Sequence, residues 1–152
     1  MIGGKLRMVA GLGLGLATAS CGETSLASRG SVYARAESLA KHVGVRPSLA
    51  SYVVKRESGG RMNAANASSS ARGPMQVIDA TAAAIAGRKV SRAERMTDTG
   101  IKLGVAYLAA CQRAMPFAND HAVWRGCFYR GHAAVGADIA HARTAFKSMY
   151  GI

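Results

Sequence analysis

Acidic residues are scarce in this chain. Eight Asp and Glu stand against twenty Lys and Arg, a formal net charge of +12. A positive surface field of that size favours solubility or an anionic partner, and nucleic acid, anionic lipid and anionic cell-wall polymers all qualify. No basic stretch is joined to a DNA- or RNA-binding motif, which argues against nucleic acid as the partner. Aromatics make up only 6% of the chain while Ala and Gly abound, a mix suited to closely packed helices. The four histidines (His42, His121, His132 and His141) lack metal-ligand spacing with acids or cysteines, so neither a metal nor a cofactor is expected. A Gly-x-Ser-x-Gly elbow is also missing, which disfavours a serine hydrolase.

Hydrophobic runs long enough to span a membrane are lacking as well. The uncharged stretch from Met8 to Ser20 follows Lys5 and Arg7 and is short for a span. It reads as a secretory signal over residues 1–20, with Ala17-Thr18-Ala19 as the small-residue cleavage site. Export to the periplasm is expected, with secretion as the alternative. Cys21 follows at once and is a lipidation candidate, although Thr18 stands where lipoprotein signals usually have Leu. Membrane contact would then come only through that lipid. The remaining cysteines, Cys111 and Cys127, are an even pair on two predicted helices and a disulfide candidate in an oxidising compartment. Two buried free thiols are the alternative.

What the chain does have is helical periodicity. Residues 21–30 are small and polar and read as a tether, and a domain follows over 31–150. Val32, Ala36, Leu39, Ala40 and Val43 recur at helical spacing after Ser31, and Gly44 stops that helix. Pro47 opens a second helix that runs to Glu57 and breaks at Gly59-Gly60. The polar segment 58–73 reads as an ordered loop. Further helices are predicted over Met75–Ala86, from a cap at Asp98 or Thr99, over Asp120–Phe128 and over Ala133–Met149, with a polar connection across 88–97. The fold class is mainly α, a single helical domain with a substrate cleft.

Glu57 is the residue with a chemical argument behind it. It projects from a helix C-terminus, where the helix dipole disfavours a carboxylate, and partial burial adds to the effect. Both keep the carboxyl protonated, as a general acid requires. An ordinary exposed helix-end glutamate is the bland alternative. Around it stand Glu57-Ser58-Gly59, then Gly73-Pro74-Met75-Gln76, Ala80-Thr81-Ala82, Gly100-Ile101-Lys102-Leu103-Gly104 with Tyr107-Leu108, and Phe128-Tyr129-Arg130-Gly131. This ordered series resembles the lytic transglycosylase (SLT-type) domains of the α+β lysozyme-like superfamily, across about residues 31–150.

The resemblance implies cleavage of the β-1,4 bond between N-acetylmuramic acid and N-acetylglucosamine in peptidoglycan. Glu57 would be the catalytic acid and base, and Ser58, Met75, Gln76 and Tyr129 would contact substrate. Three departures from the family pattern stand out. Pro74 replaces Leu, Gly100 replaces Asn, and the tyrosine of the last motif lies one place late, leaving Phe128 or Tyr129 to fill its slot. Tyr107 reads as a packing residue. The other acids are Glu23, Glu37, Asp79, Glu94, Asp98, Asp120 and Asp138, and none lies in the 58–76 loop. That scarcity suits a one-carboxylate mechanism giving 1,6-anhydro ends, with Asp79 the best-placed second acid if there is one. A hydrolytic lysozyme of the same fold and a non-catalytic, wall-binding assembly module are the alternatives. By resemblance, a secretion, conjugation or phage assembly is a candidate partner beside the glycan strands.

Overall fold

Glycine and proline divide the chain where the sequence placed them, and the differences lie in how helices begin. The computed structural model describes residues 21–152, so the signal reading of residues 1–20 lies outside the described residues. Helix α1 spans Cys21–His42 and takes in the stretch expected to be a tether, starting ten positions before Ser31. Gly44, at φ +73°, ends the turn after α1. Pro47 then supplies the fixed φ of the first turn of α2, Pro47–Glu57. The loop after α2 holds two isolated antiparallel bridges, Ala65 with Arg72 and Arg72 with Val77. Among the described residues these bridges are all that stands for the β part of the superfamily.

Helix α3 covers Asp79–Ala86, not Met75–Ala86. Gln76 is held at φ +50°, a left-handed conformation that no helix can continue through. The polar connection across 88–97 contains a one-turn helix, α4, Arg92–Arg95, whose Ser91 and Glu94 form a reciprocal capping box. Helix α5, Asp98–Ala114, is capped by Thr97, one residue ahead of the expected caps. Asp98 instead pairs with Arg35 of α1 at 2.7 Å and with Lys102 at 3.3 Å. Helix α6, Asp120–Gly126, is capped by Asn119 and gives way to a 3₁₀ turn at Phe128–Arg130. The last expected helix is broken at Gly136 into α7, His132–Val135, and α8, Ile139–Ser148.

Helix α5 is the axis of the core. Eleven of its seventeen residues are buried, so it is apolar around most of its circumference, the mark of a helix enclosed by others. Helices α1, α2, α3, α4 and α8 all pack on it. Leu49, Val53 and Val54 of α2, Val32 and Leu39 of α1, and Ala142 and Ala145 of α8 fill the core around it. The expected disulfide is present: Cys111 near the end of α5 is bonded to Cys127 just after α6, with Cα atoms 5.6 Å apart. No described helix is long and apolar enough to cross a membrane.

Two glycines explain one departure from the family pattern. A Cβ on Gly73 or on Gly100 would run into the backbone carbonyl of Arg95, an atom fixed in the chain and unable to turn aside. Gly104 is equally bare, and the thioether of Met75 fills the space over it. Restoring the family residue with Gly100→Asn therefore destabilises the fold by about 1–3 kcal/mol, the usual cost of overpacking a core. Urea denaturation of the two proteins checks this, and equal midpoints would contradict the packing described.

Candidate active site

The sequence makes Glu57 the last residue of α2, beyond which the chain turns at Gly59 and Gly60. Its carboxyl therefore stands at the carbonyl end of the helix, facing the cleft that the following loop encloses. The cleft has a volume of about 330 Å³. Asn66, Ser69, Ala71, Gln76, Val77 and Ile78 line one wall, and Tyr107, Phe128, Tyr129, Arg130 and Gly131 line the other. Among the described lining residues Glu57 is the single carboxylic acid.

Burial raises the Glu57 pKa above the ordinary glutamate range. Two contacts work against that rise. Trp124 donates its indole N–H to Glu57 Oε1 at 2.6 Å, and Arg56 lies close enough to favour the charged form. Burial is the larger effect, so the net direction is upward. Trp124 in turn sits in an aromatic group, its ring centre 6.2 Å from Tyr52, 5.7 Å from His121 and 5.5 Å from Tyr129. Tyr52 Oη and His121 Nδ1 are hydrogen-bonded at 2.7 Å.

The loop wall is held by its own polar groups. Gln76 donates its amide to the carbonyls of Ala64 and Gly73 at 3.0 and 2.8 Å. Arg72 donates to the carbonyls of Asn66, Ser69 and Ala71. Behind them lies Arg95, whose side chain is fully buried. It donates to the carbonyls of Ser70 and Val77, both at 2.7 Å, and pairs with the Asp79 carboxylate.

Of the residues expected to contact substrate, the cleft brings together Glu57, Gln76 and Tyr129. Tyr129 lines the cleft from the shifted position and is 60% exposed. Phe128 tucks against Tyr107 with ring centres 5.2 Å apart and offers the cleft only an apolar edge. Tyr107 is a packing residue, as expected. Its hydroxyl donates to the Cys127 carbonyl at 3.2 Å, and burial pushes its pKa upward.

Three other expectations need correction. Ser58 is buried, with its hydroxyl donating to the Val54 carbonyl and accepting from the Gly60 N–H, so it caps α2 and does not line the cleft. Met75 has no exposed surface and packs on Gly104, behind the wall. Asp79 is turned to Arg95 and does not line the cleft.

Trp124, Asn66, Ser69 and Thr81 were not anticipated. Being the single tryptophan of the chain was the available signal for the first, and the loop polar residues offered none. Thr81 lines the cleft and hydrogen-bonds His132 Nδ1 at 2.9 Å, which places His132 half-buried at the cleft edge. No described cluster of three His, Cys, Asp or Glu could hold a metal ion.

A helical domain wrapped around one enclosed helix, with a single acid at a helix end facing a cleft, has the architecture of the lysozyme-like enzymes. The chain matches the family model "Transglycosylase SLT domain" over residues 35–144. It belongs to that family. No curated protein and no solved structure matches it.

Removing the indole donor gives a test of the site's electrostatics. Trp124→Phe takes away a bond that favours ionised Glu57, so the Glu57 pKa rises further. A reaction that needs the protonated acid then persists to higher pH. The alkaline limb of the kcat/KM profile should move upward, and a downward movement would contradict the assigned polarity of the contact.

Proposed function

We propose that this protein is a peptidoglycan lytic transglycosylase with Glu57 as its only catalytic carboxyl. The observation that carries the reading is a lone cleft acid whose pKa is raised by burial, hydrogen-bonded by an indole. Most glycosidases need two carboxyls flanking the bond, and Asp79, the next acid along the chain, is engaged by Arg95. In the proposed reaction Glu57 gives its proton to the glycosidic oxygen as the bond from C1 of the muramoyl sugar breaks. The carboxylate left behind takes the proton of the same sugar's C6 hydroxyl. O6 then bonds to C1, so the product is a 1,6-anhydro sugar and no water is consumed.

Gln76, Tyr129, Asn66 and Ser69 supply the polar contacts for sugar hydroxyl and N-acetyl groups, with Phe128 and Ile78 as apolar walls. Export to the periplasm fits the basic and apolar first twenty residues, with Cys21 as the site of a lipid anchor. The excess of Lys and Arg suits adherence to anionic wall polymer. By family resemblance, the physiological role is a local opening of the wall for a secretion, conjugation or phage assembly.

Digestion of purified sacculi followed by mass spectrometry tests the chemistry. Anhydro-ended fragments are expected. Reducing ends would make the protein a hydrolytic lysozyme, and intact glycan with retained binding would make it a wall-binding module. Glu57→Gln should lose at least roughly a hundredfold in rate, the scale of a lost general acid.

The same variant carries a stability signature. A carboxyl whose pKa is raised by folding supports the folded state fully only below its unfolded pKa. That support is lost as pH rises through the folded value. Glu57→Gln should therefore melt above the wild type at pH 8, and the difference should close below the ordinary glutamate range.

A further inference from the structure

Three arginines around the cleft mouth have no ion-pair partner among the described residues. These are Arg56, Arg125 and Arg130, all exposed. Apart from Glu57, the acids whose side chains are described are engaged elsewhere. Asp98, Asp120, Glu94 and Asp79 hold Arg35, Arg46, Arg88 and Arg95. Glu37 accepts from Ser51, and Asp138 caps α8.

Two of the three unpaired arginines are held in place by aromatic rings. The Arg56 guanidinium lies 4.5 Å from the centre of the Trp124 ring, and that of Arg125 lies 5.0 Å from the Tyr129 ring. The two rings are 5.5 Å apart, so cation, ring, ring and cation form one row. Of its two rings, the indole contacts Glu57 and the tyrosine lines the cleft beside Arg130. A guanidinium resting on a ring has already lost much of its freedom, and its N–H edge stays open for a two-pronged bond to an oxyanion.

Sugar hydroxyls and N-acetyl groups are neutral and need no such row. The peptide stems that branch from the muramoyl sugars do carry free carboxylates. We infer that Arg56, Arg125 and Arg130 form a subsite for stem-peptide carboxylates, so that the protein favours peptide-bearing strands over stripped glycan. The inference rests on the transglycosylase reading for its substrate, and the row of charges sets what part of that substrate is read.

Binding to the Glu57→Gln protein tests it without cleavage intervening. Three ligands are compared: glycan strands bearing their peptides, the same strands stripped by an amidase with the lactyl carboxyls so exposed then converted to amides, and peptide-bearing strands whose carboxyls have been converted to amides. The first should bind roughly tenfold more tightly than either of the others, the scale of one or two charge-assisted contacts. Adding Arg56→Gln and Arg125→Gln should bring the ratio to within about twofold of unity. Both side chains are exposed, and circular dichroism confirms that the helices survive. Equal binding of free and amidated peptides, or of stripped and unstripped strands, would overturn the subsite. Wild-type cleavage of any of these strands upholds the enzymatic reading even then, so the two failures are told apart.

Discussion

Most of the cleft's geometry depends on one buried cation. The Arg95 side chain has no exposed surface, and a charge so placed is costly unless its hydrogens find partners. Its two terminal nitrogens find them in the carbonyls of Ser70 and Val77 and in Asp79, groups within and beside the segment carrying Ala71, Gln76 and Ile78, while its Nε–H is left buried without a partner. Burial lowers its pKa while Asp79 opposes the shift. The same residue's backbone carbonyl sits against the bare faces of Gly73 and Gly100. One arginine thus anchors the loop wall to the start of the central helix at two points, one by its side chain and one by its main chain. Gly73 and Gly100 answer to that carbonyl.

The opposite wall is built on different physics. Its rigidity comes from ring packing, Tyr107 on Phe128 and Trp124 on Tyr129, joined to the core by the bond between Cys111 and Cys127. Glu57 stands between the two walls, with burial raising its proton affinity and the indole contact tempering the rise. A polar wall and an aromatic wall facing a single acid suit a ligand with hydroxyl edges and apolar ring faces.

The helices and the acid were legible in the sequence because their signals are local. Gly44, Pro47, Gly59 and Gly87 mark helix ends through backbone conformation alone, and the spacing of Leu49, Val53 and Val54 marks the buried face of α2. The wall was less legible because its logic is non-local. Arg95 lies in a stretch that reads as a solvated connection, and only the loop packed over it makes it a core residue. Met75 follows the family motif into the wall, yet the bare backbone of Gly104, twenty-nine positions on, draws it inward. Gln76 is left-handed because its amide is tied to Ala64 and Gly73, a conformation that no propensity for glutamine announces. Trp124 carried no local hint of its bond to a residue sixty-seven positions earlier.

The link between Cys111 and Cys127 falls one residue ahead of the Phe128–Arg130 turn. Reduced thiols would leave that turn tied to α5 by the Tyr107 hydroxyl and by aromatic contact alone. The shape of the cleft is therefore coupled to the redox state of its surroundings, because this cross-link forms only where thiols are oxidised.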